Sequence, residues 1–165
     1  MKKIFLPIIA VLMVLSLCSC TISESGESLH CFTERMNNFD SSYSLTSSGY
    51  IYDKSKSTLT KFYKFNDNEI MLRFKLNKNN ELKKETIILN KELLKNNKAN
   101  KFINNSIKSF IHDETTQNNT ISKINLLSLA SKSSYNTKKY EYGSTVLMID
   151  VTDDFVYITV QKNNL

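Results

Sequence analysis

Glycine, tryptophan, histidine, arginine and cysteine are all scarce in this chain, and each shortage removes a class of chemistry. Three glycines, at positions 26, 49 and 143, are too few and too scattered to build a glycine-rich loop that cradles phosphates. No G-x-S-x-G stands anywhere, so the strained nucleophile elbow of the α/β-hydrolases is missing. There is no tryptophan, the commonest side chain for stacking on sugars, although eight tyrosines remain. Of 22 basic residues only Arg35 and Arg73 carry the guanidinium fork that suits base and phosphate recognition, and nucleic acid is not an expected partner. Three cysteines (Cys18, Cys20 and Cys31) do not make a disulfide framework.

What is present begins at the N-terminus. Lys2 and Lys3 precede a run, residues 4–17, with no charge and only Pro7 and Ser16 outside the apolar class. Fourteen helical residues span about 21 Å, short of the about 30 Å of a bilayer's hydrocarbon core. That is the length of a signal-peptide core rather than a spanning helix. The next residues are Leu17-Cys18-Ser19-Cys20.

This tetrapeptide resembles the lipobox of bacterial lipoproteins, with a leucine three positions before the modified cysteine and a small residue one before it. Cys20 satisfies that pattern. Cys18 does not, because bulky Leu17 would occupy its preceding position. The cysteine at the second place of the box departs from the more usual alanine or threonine but is still small. The resemblance implies a diacylglyceryl group, palmitate-like chains included, on the sulfur of Cys20. It also implies cleavage before that residue and a lipid-anchored location on the extracytoplasmic face of the cell membrane. Two acyl chains on one sulfur supply the double signal that stable anchoring needs, at about 0.8 kcal/mol per buried methylene. An uncleaved anchor helix over residues 4–22 and plain secretion with cleavage elsewhere are the competing readings.

Removing residues 1–19 leaves 146 residues, enough for one domain with a real core and no need of disulfide or metal. Residues 20–28 read as a flexible, lipidated tether of about 16 Å root-mean-square reach, and residues 29–165 as a single domain. With Cys20 lipidated, Cys31 has no disulfide partner and is expected to pack as a small apolar side chain. The formal charge of +6 is unevenly placed, for residues 53–108 hold thirteen lysines and Arg73 against six acids. A basic middle on an anchored protein suits anionic headgroups or wall polymers. The same lysines, scattered among strands and turns, also suit a plain wet face.

Periodicity gives the architecture. Leu29, Phe32, Met36 and Phe39 share one face of a helix over Leu29–Phe39, with Ser28 as N-cap. Strands follow at 43–52, Thr58–Phe65, 69–76 and Leu82–Asn90, the last two joined by the turn at 77–81. A second helix over 98–112 carries the strongest amphipathic pattern, through Ala99, Phe102, Ile103, Ser106, Ile107, Phe110 and Ile111. Residues 113–119 read as a polar linker, before a third helix capped by Thr120 or Ser122 and running to about residue 131. A hairpin of 140–151 and Phe155–Lys162 closes the chain, with Leu147, Ile149 and Val151 facing Val156, Ile158 and Val160. The order α-ββββ-αα-ββ specifies an α+β fold, an antiparallel sheet with two or three helices on one face. Its opening helix and four-strand meander resemble a cystatin-type unit in element order alone, and no activity follows from that.

Candidate chemistry is thin. His30, Cys31 and Glu34 form the best metal set, but only His30 and Glu34 share a helical turn, and two ligands are too few. His112 beside Asp113 and Glu114 suits a helix C-terminus more than a catalytic role. Asp150 interrupts an apolar run and is expected on the face of Val146 and Met148, towards water. Tyr43, Tyr50, Tyr52, Phe62, Tyr63, Phe65 and Phe74 suit a sheet core, or else an exposed binding surface. No catalytic residue, metal ligand or small-molecule cofactor is assigned. The expected role is a non-enzymatic binding domain at the cell envelope, with a protein, peptide or anionic wall polymer as partner besides the membrane. An envelope hydrolase using Asp150, His112 or Cys31 is the alternative.

Overall fold

The computed structural model describes residues 28–43, 45–65, 69–124 and 137–163. Leu17, Cys18, Ser19 and Cys20, with most of the expected tether and residues 125–131 of the expected third helix, lie outside the described residues.

Helix α1 covers Leu29–Phe39, the span its periodicity predicts, and the Ser28 hydroxyl accepts from the Cys31 amide at its start. Phe32 and Met36 are wholly buried, whereas Phe39 is exposed because the helix ends there at an extended Asp40. Four strands follow in a meander: β1 (Thr46–Asp53), β2 (Thr58–Phe65), β3 (Ile70–Leu76) and β4 (Leu82–Asn90). A 3-10 turn at Lys91–Lys95 leads to α2 (Asn97–Phe110), capped by the Asn96 side chain on the Lys98 amide. Then come α3 (Glu114–Lys123), β5 (Lys138–Tyr142), β6 (Thr145–Val151) and β7 (Phe155–Lys162). All seven strands form one antiparallel sheet in the order β1-β2-β3-β4-β7-β6-β5.

The α+β class and the single sheet are as the sequence specifies, with two local corrections. The expected strand over 140–151 is two strands, β5 and β6, folded back at Gly143 and Ser144. Gly143 has φ +56, a conformation that costs a side-chain-bearing residue about 1–2 kcal/mol. The expected linker over 113–119 is instead most of α3. Asp113 caps it by accepting from the Thr116 amide at 2.6 Å, and Gln117 in turn donates to the Ile111 carbonyl at the end of α2 at 2.6 Å. That helix buries only Thr120 along its length, so it has almost no apolar stripe to announce it.

The core lies between the sheet and the helices. Ile70, Leu72, Phe74 and Leu76 alternate with half-buried Met71, Arg73 and Lys75, and the inward set meets Ile87 and Leu89 of β4. Leu147, Ile149, Val151, Val156, Ile158 and Val160 are all buried, as the alternation requires. Helix α2 presents Phe102, Ile103, Ile107 and Phe110 to this layer, each fully buried. Phe32 meets Phe74 edge-on with centroids 4.8 Å apart, and Tyr43 meets Phe102 at 5.2 Å. Burying a phenylalanine contributes about 1.5–3 kcal/mol, so these contacts set the spacing between layers.

One inward position breaks the pattern. Glu85 pairs with Phe74 and Val160 on the core face and is fully buried beneath α2. The Ser106 hydroxyl donates to its Oε1, and its Oε2 meets no hydrogen-bond partner among the described residues. Burial pushes this carboxyl up to about 8, against a lowering pull from Ser106.

Candidate functional site

Hairpin geometry sends the β1–β2 turn, the β3–β4 turn and the end of β7 to the same end of the sheet. Asp53 organises the first turn by accepting from the Ser55 and Lys56 amides, and Ser57 there takes φ +46. Asn77 organises the second through its Oδ1, which accepts from the Asn79 and Glu81 amides, while Asn80 takes φ +60. Short polar residues tolerate these left-handed positions, which is why asparagine concentrates there.

Between those turns opens a cleft of about 690 Å³, within the range of small-ligand sites. Lys56, Lys75, Lys83, Lys84 and Lys162 line it with no acidic residue among its walls, and Asn77, Gln161 and Asn163 add neutral polar groups. A second cleft of about 490 Å³ adjoins it on the helical side. The two share Lys83, Lys162 and Asn163, and His112, Asp113 and Thr116 complete the second wall.

The electrostatics follow from packing cations together. Lys162 is held down to about 8, first by burial and then by Arg35 and Lys83. Its ammonium sits 5.2 Å from the centroid of the Phe110 ring, a cation–π contact that offsets part of the lost hydration. Lys84 is lowered by burial and by Arg73 and Lys75, with Asp150 pulling the other way. His112 is held at about 4 by burial, Arg35 and Lys162, so its imidazole is neutral at physiological pH. The Lys83 ammonium lies 3.0 Å from the Glu81 carboxylate in the β3–β4 turn. An anion bound here would meet several cations whose mutual repulsion it relieves, and that is the chemistry the arrangement can perform.

No family model, curated protein or solved structure matches the chain.

The residues singled out from sequence end up apart. His30 and Glu34 meet at 3.3 Å on an exposed face of α1, and Cys31 lies against the Ser28 hydroxyl at 3.4 Å. Among the described residues, no three His, Cys, Asp or Glu side chains gather as a metal would need. Asp150 is on the face of Val146 and Met148, opposite the helices, where it accepts from the Thr137 hydroxyl at 2.6 Å. Of the three hydrolase candidates, His112 lines the smaller of these two clefts, and Asp150 and Cys31 line neither.

The aromatic set divides. Tyr43 and Phe74 are core and Tyr63 packs against it, with centroids 5.8 Å from Phe74. Tyr50, Ile51 and Tyr52 instead stand 75%, 61% and 56% exposed on the edge strand β1, which extends beyond the helical layer.

Sequence reading found the basic middle but not the cluster. Lys162 lies outside residues 53–108 and joins the cleft through the sheet order, while Lys95, Lys98 and Lys101 of the basic stretch go elsewhere. The available signal was positional, since the clustered lysines sit at strand ends next to turn residues that hairpin pairing brings to one end.

Proposed function

We propose that the chain is a membrane-anchored extracytoplasmic lipoprotein, held by a diacylglyceryl group on Cys20, and that its folded part is a non-enzymatic binding domain of the cell envelope. One observation carries the reading. Leu17-Cys18-Ser19-Cys20 follows a positively charged start and a charge-free run of signal-peptide length. The sulfur of Cys20 takes the lipid, the bond from Ser19 is then cut, and residues 20–28 become the tether.

The binding role is supported by the make-up of the two clefts. Their walls are mostly amines, amides and hydroxyls, and the one carboxylate among them, Asp113, is engaged in capping α3 through the Thr116 amide. Among the described residues no helix is long and apolar enough to cross a membrane, so those residues supply no helical anchor of their own.

Mass spectrometry of the protein purified from membranes tests the anchor. A diacylglyceryl mass on an N-terminal Cys20, together with release of a Cys20→Ala variant into the soluble fraction or its retention as an unprocessed precursor, is the expected result. An unmodified Cys20, or a variant that is processed and fractionates identically, overturns the reading.

A further inference from the structure

The two ends of the sheet differ in charge, and the chain enters the fold at one of them. Ser28, the first described residue and the cap of α1, forms an isolated backbone bridge with Glu81 in the β3–β4 turn. That turn borders the larger cleft through Asn77 and Lys83. The tether therefore meets the body at the end that carries Lys56, Lys75, Lys83, Lys84 and Lys162. At the opposite end the acids Glu69, Asp153 and Asp154 stand with Lys91 and Lys138, whereas the turns of the lysine-lined end hold Asp53 and Glu81 against the five lysines.

We propose that this lysine-lined end, where Ser28 enters beside Glu81, is the face with which the domain lies on anionic phospholipid headgroups. The inference rests on the lipid anchor at Cys20 for its geometry. The eight Cα-to-Cα steps from Cys20 to Ser28 reach at most about 28 Å even fully extended. A domain so tethered presents its entry face to the bilayer. Attraction to an anionic surface decays within about 8 Å at physiological salt, so only charges on that face are strongly felt. Lysine suits this partner, because a compact ammonium on a flexible stem engages a disordered layer of phosphates without needing the fixed geometry that arginine serves. The cleft admits more than one phosphate group, and cations already crowded around Lys162 and Lys84 gain from the neutralisation.

Vesicle sedimentation of the unlipidated mature chain from Cys20 tests the face apart from the anchor. The expected result is binding to vesicles containing phosphatidylglycerol, none to pure phosphatidylcholine, and loss of binding in high salt. Each lysine near an anionic surface is worth about fivefold in partitioning, so Lys75→Gln with Lys84→Gln is expected to weaken binding about 25-fold. Lys75→Arg with Lys84→Arg is expected to retain it, as is Lys95→Gln with Lys98→Gln, and thermal melts of each variant show that the fold persists. Equal binding to neutral vesicles, salt-insensitive binding, or a folded double glutamine variant that binds like the parent overturns the proposal. Binding to soluble polyphosphate with none to anionic vesicles overturns it too, in favour of a soluble ligand. Acylation of Cys20 is read separately by mass. A missing lipid with intact sedimentation removes the anchor but upholds the headgroup contact, whereas a lipid without sedimentation removes the contact but upholds the anchor.

Discussion

Replacing Glu85 by glutamine should shift stability progressively in the variant's favour as pH rises. The folded carboxyl is held at about 8, chiefly by burial, against 4.5 for the free side chain. Between those values the unfolded chain has released this proton and the folded one has not, so the term lowers stability as pH rises through that window. Below pH 4.5 both states are protonated and the term vanishes; above about 8 both are ionised and it stays at full size. At pH 7 the penalty is about 3 kcal/mol, from about 1.4 kcal/mol per pH unit. No discount for solvent screening applies, because Glu85 is fully buried. Glu85→Gln keeps the shape and an acceptor for the Ser106 hydroxyl but has no proton to lose. Burying its extra N–H subtracts a constant of about 1–3 kcal/mol at every pH. The diagnostic is therefore the gap between variant and parent, which should move in the variant's favour by about 3 kcal/mol from pH 4.5 to 7. For a domain of this size that is a relative rise in melting temperature of about 10 °C. Circular-dichroism melts across the range measure it. Parallel curves for the two proteins would refute the reasoning, because they would mean that Glu85 ionises freely in the fold.

Other perturbations test the packing. Phe102→Ala empties a fully buried ring site against Tyr43 and should cost about 3–5 kcal/mol in chemical denaturation. Tyr43→Phe removes the hydroxyl that accepts from the buried Asn105 amide at 3.0 Å, and should cost about 1–3 kcal/mol by leaving that donor unpaired. Gly143→Ala places a side chain at φ +56 with open space around it, so the cost is backbone strain alone, about 1–2 kcal/mol by urea titration. His112 should titrate near 4 by NMR, where an ordinary imidazole titrates near 6.5. Because the unfolded ring takes its proton first, its contribution to stability falls as pH drops between those two values. A midpoint near 6.5 would show that neither burial nor Arg35 and Lys162 press on it.

Much of this fold was legible in the sequence because most elements bury one face and expose the other. The alternation through Ile70, Leu72, Phe74 and Leu76 and the helical spacing of Phe102, Ile103, Ile107 and Phe110 each leave one reading. Where an element is defined by something other than apolar periodicity, reading failed. Helix α3 is made by the Asp113 cap and by the Gln117 bond to the end of α2, both polar events in a stretch with no stripe. The β5–β6 reversal turns on Gly143 inside a run whose hydrophobicity continues on both sides. Glu85 escaped notice because the register slips between Lys75 and Leu76, which lets both Leu82 and Glu85 face inward. The lysine cluster was half legible: charge density can be counted along a chain, but Lys162 joins Lys75 and Lys84 only through the order of strands in space.

That order also has a kinetic meaning. The last strand, β7, is not at an edge but lies between β4 and β6, where it alone stitches the first meander to the closing hairpin. Until residues 155–162 are available, β4 and β6 each present a raw edge and the floor beneath α2 is split in two. The keystone arrives last. Completing the sheet therefore waits on a pairing between residues 82–90 and 155–162, a contact of high sequence separation that is slow to form. Removing residues 155–162 would divide the sheet between β4 and β6 rather than trim its margin.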